Sequence, residues 1–119
     1  MSTKKTILVI DDEEMILDAV KVIMEDMGYD VTTYADPLEG QRAALEKDFD
    51  LILCDLRMPD RNGAEVTETI LSKKKDAKIL VITAYTTDQL AKRALDAGAV
   101  GMLKKPFEIA KIVSFLNDG

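Results

Sequence analysis

Residues 7–14 read "ILVIDDEE", in which four aliphatic residues are followed directly by four carboxylates. A continuous apolar run without alternation is typical of a strand that is buried on both faces of a sheet. Carboxylates that follow such a strand gather at its end, where two of them about 4 Å apart repel by roughly 4 kcal/mol at an effective dielectric near 20. We therefore expect a cation at this end of the strand, unless the four side chains point apart.

Short aliphatic runs recur along the whole chain and are separated by stretches with helical spacing. The spacing of the first such stretch predicts a helix that buries Ile16, Val20, Ile23 and Met27 and ends at Gly28. Strands are predicted near residues 7–10, 31–35, 51–54, 79–82 and 100–103, and further helices from Pro37 and over residues 64–72, 87–97 and 106–117.

This alternation predicts an α/β fold, since strands separated by helix-length connections form a parallel sheet with helices on both faces. We expect residues 1–119 to form a single domain. The chain stops just after the fifth predicted helix, so it is expected to be either a stand-alone protein or the N-terminal part of a longer one. In such sheets ligands bind beyond the carboxyl ends of the strands.

Composition narrows the function classes. The formal charge of -6 argues against direct contact with nucleic acid, and the absence of histidine excludes imidazole catalysis and imidazole metal sites. The longest aliphatic runs are far shorter than the 18 or so residues that span a bilayer, so no membrane association is expected and the predicted compartment is the cytoplasm. The single cysteine, Cys54, lies in an aliphatic run and is expected to be buried.

The informative residues are those that end the predicted strands. Asp11 and Asp12 follow the first strand, Asp55 the third, Thr83 the fourth and Lys105 the fifth. Each alone is explained by helix capping or by solvation, but together they predict a phosphoryl site. The three carboxylates suit Mg2+, which prefers oxygen ligands. Asp55 is the best candidate for a nucleophile that forms an aspartyl phosphate, because Thr83 and Lys105 flank it and are able to bind the phosphoryl oxygens.

Four segments of the chain, taken in order, resemble the signature segments of the receiver (CheY-like) domain of bacterial two-component response regulators. They are "ILVIDDEE", "LILCDLRMPDRNG", "VITAY" and "GMLKKPF". The resemblance covers nearly all 119 residues. It implies a flavodoxin-like (βα)5 fold, a three-layer sandwich around a five-stranded parallel sheet of order 2-1-3-4-5.

The resemblance also implies a role for each site residue. Asp55 would be the phosphoacceptor, Asp12 a direct Mg2+ ligand, Asp11 an acidic partner of metal-bound water, and the backbone carbonyl of Arg57 a further ligand. Thr83 and Lys105 would bind the phosphoryl group. The bond before Pro106 would be cis.

The implied function is a phosphorylation-dependent switch. A sensor histidine kinase would donate the phosphoryl group, and the surface of the fourth helix, fifth strand and fifth helix would then change its affinity for an output domain or target protein. Such a domain catalyses only its own phosphorylation and dephosphorylation, so it is not expected to be an enzyme in the ordinary sense. One position departs from the family: Met102 stands three residues before the signature lysine, where the family usually has Tyr or Phe.

Three alternatives compete with this interpretation. A haloacid-dehalogenase-like phosphatase also combines an Asp nucleophile with Mg2+, but "DDEE" lacks the D-x-D motif expected after its first strand. A flavodoxin would need a first loop rich in Ser, Thr and Gly, and a degenerate receiver would lack part of the acidic set.

Glu13 and Glu14 are interpreted as solvent-facing acids in the first turn of a helix, where the helix dipole favours negative charge.

Overall fold

The computed structural model describes residues 4–85 and 87–117, and over this range five strands alternate with five helices. The elements are β1 Thr6–Ile10, α1 Glu14–Asp26, β2 Asp30–Tyr34, α2 Pro37–Glu46, β3 Leu51–Asp55, α3 Gly63–Lys73, β4 Ile79–Thr83, α4 Gln89–Ala97, β5 Gly101–Lys104 and α5 Ile109–Asn117. All neighbouring strands are parallel, and the sheet order is β2-β1-β3-β4-β5. The predicted fold class and strand order are confirmed.

Each face of the sheet carries its own hydrophobic core, because successive side chains of a strand point to opposite faces. In β1, Leu8 and Ile10 pack with buried residues of α2, α3 and α4. Ile7 and Val9 pack on the other face with buried residues of α1 and α5. The central strands β3 and β4 are buried throughout, which explains their continuous apolar sequence, and Cys54 is buried among them as expected.

The predicted buried face of α1 is wrong for two of its four residues. The buried side chains are Leu17, Val20 and Met24, whereas Ile23 is 44% exposed and Met27 51% exposed. Apolar residues occupy more of the α1 circumference than the sheet covers, so spacing alone could not decide which of two neighbouring stripes faces the core.

Two helices begin later than predicted. The predicted fourth helix starts at residue 87, but α4 starts at Gln89, because Asp88 is its N-cap and its side chain accepts a hydrogen bond from the Leu90 N–H. The predicted fifth helix starts at Pro106, and α5 starts at Ile109. Both differences lengthen the loops at the carboxyl edge of the sheet.

The start of α3 lies directly against the carboxyl end of β3. Asn62 caps the helix in a capping box with Glu65, and Gly63 follows as the first helical residue. A Cβ added to Gly63 would lie 2.3 Å from the Asp55 carbonyl oxygen, so only glycine permits this approach.

Among residues 4–85 and 87–117, no helix is both long enough and apolar enough to cross a membrane.

Candidate functional site

The parallel sheet brings the predicted site residues together at one edge. Asp11 follows β1, Asp55 and Thr83 are the last residues of β3 and β4, and Lys105 follows β5. The strand register places these ends side by side, since Ile10 pairs with Cys54 and Asp55 pairs with Ile82. Asp11, Asp55 and Thr83 are buried, which is unusual for polar side chains and requires that each has a partner.

Three carboxylates form an acidic cluster at this edge. One oxygen of each of Asp11, Asp12 and Asp55 lies within 4.8 Å of the others, and of the three only Asp12 is exposed. Asp11 Oδ2 is buried and is paired with the ammonium of Lys105. A hard divalent cation such as Mg2+ binds one or two carboxylates and keeps several waters, so this donor set fits such an ion.

Lys105 is the cation that faces the cluster. Its Nζ lies 3.3 Å from Asp55 Oδ2, 3.2 Å from Asp11 Oδ2 and 2.7 Å from Glu13 Oε1. Burial lowers the pKa of this ammonium, but the hydrogen bond with Glu13 and the charges of Asp55 and Asp11 outweigh burial and raise it. Lys105 therefore stays charged at neutral pH.

The contact between Glu13 and Lys105 was missed by the sequence analysis. Glu13 is the N-cap residue of α1, and Glu14 is the acid in its first turn. The side chain of Glu13 is 58% exposed, as expected of a solvent-facing acid, yet it also pairs with Lys105. The two residues are 92 positions apart, so no local sequence signal could have shown this contact.

Burial and a neighbouring charge make Asp55 basic for a carboxylate. Burial raises its pKa most, the charge of Asp11 raises it further, and Lys105 offsets part of the rise, which leaves the pKa at about 7. Burial also raises the pKa of Asp11. Without a metal ion, the site thus carries less negative charge near neutral pH than its sequence suggests.

A second polar set lies beside this cluster and involves Asp88, which the sequence analysis did not single out. The Thr83 hydroxyl donates to Asp88 Oδ2 at 2.7 Å, and the Arg57 guanidinium donates to both oxygens of the same carboxylate. The Arg57 guanidinium also lies 6.0 Å from the ring centroid of Tyr85. The sequence signal for Asp88 was its place at the start of the predicted fourth helix, where aspartate is a favoured cap.

The peptide bond before Pro106 and the side chain of Met102 lie close to this site in the sequence and are both described by the structure. The peptide bond between Lys105 and Pro106 is cis, as expected. Met102, which replaces the usual aromatic residue, is partly buried and packs against the core formed with α2, α3 and α4.

Comparison with known proteins agrees with this geometry. Residues 7–117 match the family model of the response regulator receiver domain. The transcriptional regulatory protein ZraR of Klebsiella oxytoca is 32% identical over 112 residues, which cover 94% of this chain and 25% of ZraR. The chain spans from 25% to 57% of the length of the first curated relatives that it matches.

Solved structures share the fold along nearly the whole chain. The chemotaxis protein CheY4 of Vibrio cholerae superposes with a TM-score of 0.86 at 31% identity, covering 96% of this chain and 97% of CheY4. A response regulator of Burkholderia pseudomallei, solved with a phosphorylated aspartic acid, a calcium ion and citrate, gives a TM-score of 0.86 at 30% identity, covering 97% and 68%. On the family match and these shared folds, the chain belongs to the response regulator receiver domains of two-component systems.

Proposed function

We propose that this receiver domain accepts a phosphoryl group from the phosphohistidine of a sensor histidine kinase onto Asp55, in a reaction that depends on Mg2+. The observation that carries this proposal is the position of Asp55. Its carboxylate is buried at the end of β3, shares the acidic cluster with Asp11 and Asp12, and lies 3.3 Å from Lys105 Nζ. The family assignment favours this function over the phosphatase and the flavodoxin considered above.

The residues divide the work of phosphoryl transfer. A carboxylate oxygen of Asp55 attacks phosphorus, the P–N bond to the kinase histidine breaks, and the imidazole nitrogen keeps the bonding electrons. Lys105 pairs with the Asp55 carboxylate before the transfer and with a phosphoryl oxygen after it. The Thr83 hydroxyl donates to another phosphoryl oxygen. Because phosphoryl transfer depends mainly on positioning and charge stabilisation, this set is sufficient together with a metal ion.

The metal would be held by Asp11, Asp12, Asp55 and the backbone carbonyl of Arg57. Bound Mg2+ would remove the repulsion between the carboxylates and neutralise charge on the phosphoryl oxygens. The acidic cluster that Asp11, Asp12 and Asp55 form at the carboxyl edge of the sheet supports an ion at this position. The Burkholderia relative solved with a phosphorylated aspartic acid and a calcium ion gives further support for a divalent cation beside an aspartyl phosphate.

The charge of the phosphoryl group is the proposed cause of a change in partner binding. A phosphoryl group adds roughly -1.5 to -2 charge, which Lys105 and Thr83 must meet. Thr83 ends β4 and Lys105 follows β5, so a movement of either reaches the adjoining α4-β5-α5 surface. We propose that this surface changes its affinity for an output domain or target protein, and that the domain acts on no substrate other than its own phosphodonor.

The test is phosphorylation by acetyl phosphate, followed by intact-protein mass spectrometry with Mg2+ or with EDTA. We expect a mass increase of one phosphoryl group that requires Mg2+ and is lost in Asp55→Asn. Asp60→Asn is the matched control, because Asp60 is an exposed carboxylate in the loop that follows Asp55. Labelling that survives Asp55→Asn would refute the assignment.

A further inference from the structure

The Thr83 hydroxyl, which the proposed function assigns to a phosphoryl oxygen, is hydrogen-bonded to Asp88 in this structure. Thr83 Oγ1 lies 2.7 Å from Asp88 Oδ2, and Asp88 has a fully buried side chain. The same carboxylate accepts from Arg57 Nη2 at 2.7 Å, from Arg57 Nε at 3.2 Å and from the Leu90 N–H at 2.9 Å. Asp88 is thus fixed by three hydrogen bonds from Arg57 and Leu90 while it accepts a hydrogen bond from the hydroxyl that the phosphoryl group needs.

The direction of the hydrogen bond between Thr83 and Asp88 follows from the chemistry of both groups. The Arg57 guanidinium donates to both oxygens of Asp88 and the Leu90 N–H donates to Oδ1, a set of donors that an ionised carboxylate accepts. An ionised carboxylate only accepts, and a hydroxyl has a single proton to donate. Thr83 Oγ1 already accepts from the Tyr85 N–H at 3.1 Å. The one proton of the Thr83 hydroxyl is therefore committed to Asp88.

We propose that Asp88 is a positioning residue that locks the domain in its unphosphorylated state by withholding the Thr83 hydroxyl from the phosphoryl pocket. The inference rests on the proposed function, since a phosphoryl oxygen on Asp55 must compete with Asp88 for the same proton. Arg57 holds Asp88 in place through its two-pronged contact. Because Asp88 is also the N-cap of α4, release of Thr83 changes the contacts of the residue that starts this helix.

Asp88→Asn frees the Thr83 hydroxyl from Asp88 and keeps the N-cap of α4. Asp88 Oδ1 accepts from the Leu90 N–H and from Arg57 Nη2, so an amide oxygen belongs at that position. The amide nitrogen then replaces Oδ2 and faces Thr83, and it cannot accept the hydroxyl proton. Asn is also a favoured N-cap residue. Asp88→Ser is a second variant that keeps a capping side chain and removes the carboxylate.

The probe is beryllium fluoride, a phosphoryl mimic, titrated into the full chain at saturating Mg2+. In the wild type, binding must break the hydrogen bond from Thr83 to the charged Asp88 carboxylate, whereas in the variants this bond is absent. We therefore expect the Kd for beryllium fluoride to fall about tenfold or more in Asp88→Asn and in Asp88→Ser. The gain must disappear in a Thr83→Val background, because the lock acts only through that hydroxyl. In the wild type, the 13C resonance of the Asp88 side-chain carboxyl must shift when beryllium fluoride is added.

The outcomes separate the lock from the proposed function. An unchanged or higher Kd in the folded Asp88 variants would overturn the lock, as would an equal gain in Thr83→Val or an Asp88 resonance that does not move. The wild-type resonance gives this answer even when neither variant folds. Failure of the wild type to bind beryllium fluoride through Asp55 would instead overturn the proposed function, and the lock with it.

Discussion

At the scale of single residues, four adjacent carboxylates have four different surroundings. Asp11 is buried with one oxygen 3.2 Å from Lys105 Nζ, and Asp12 is exposed beside it. Glu13 pairs with Lys105, while Glu14 begins α1. These differences in burial and pairing are not visible in the sequence, where the four residues carry the same charge. Binding of a metal ion should therefore depend on Asp11 and Asp12 and not on Glu14.

Mg2+ should stabilise the protein, and this effect should depend on Asp12. A ligand that binds only the folded state raises stability in proportion to the logarithm of its concentration over Kd. We expect Mg2+ to raise the melting temperature of the wild type and to leave that of Asp12→Ala unchanged, as measured by differential scanning calorimetry. Glu14→Ala, the matched control, should keep the wild-type response. Loss of the response in Glu14→Ala would contradict this division.

The raised pKa of Asp55 makes the metal-free protein sensitive to pH. The folded pKa of about 7 lies above the ordinary value of 3.8, so the folded state holds the proton more tightly. The contribution of Asp55 to stability is therefore full below about pH 4 and is lost as the pH rises through 7. Asp55→Asn removes the buried charge and should be more stable than the wild type in EDTA at pH 8.

We expect this gain to be of the order of 1–2 kcal/mol after allowance for solvent screening, and to shrink towards pH 5. Urea unfolding at the two pH values measures it. Asp60→Asn should show no such gain, because Asp60 is exposed and asparagine also tolerates its positive φ of 71°. A loss of stability in Asp55→Asn at pH 8 would contradict the pKa assigned to Asp55.

At the scale of elements, the start of α3 fixes the backbone of the phosphoacceptor. The Cβ of Gly63→Ala would meet the carbonyl oxygen of Asp55, which is backbone and cannot rotate away. We expect Gly63→Ala to lose about 2 kcal/mol or more of unfolding free energy, and to weaken the stabilisation by Mg2+. Ser72→Ala, near the exposed end of the same helix, should change stability by less than about 0.5 kcal/mol. Equal effects of the two substitutions would contradict this role of α3.

Sequence patterns predicted the strands better than the helix faces. The strands were predictable because burial on both faces leaves a continuous apolar run, as in "LILC" and "ILVI". The apolar residues of α1 form a stripe wider than the buried face, so Ile23 and Met27 were wrongly predicted to be buried. The start of α4 depended on whether Asp88 caps the helix, which the sequence alone did not decide.

At the scale of the whole molecule, the candidate site was predictable because topology fixes it. Parallel strands place their carboxyl ends at one edge, so Asp11, Asp55, Thr83 and Lys105 had to meet once the strands were known. The pairing of Glu13 with Lys105 and of Asp88 with Thr83 was not predictable in the same way. These contacts depend on how side chains cross between loops, and the strand order does not specify that.

We propose that Asp55, and no other carboxylate of the cluster, accepts the phosphoryl group. Borohydride tests it directly, since it reduces an aspartyl phosphate to homoserine, which peptide mass spectrometry then locates in the chain. After reaction with acetyl phosphate and Mg2+, we expect homoserine at position 55, and none when EDTA replaces Mg2+. Homoserine at position 11 or 12, or modification that is equal in EDTA, would contradict it.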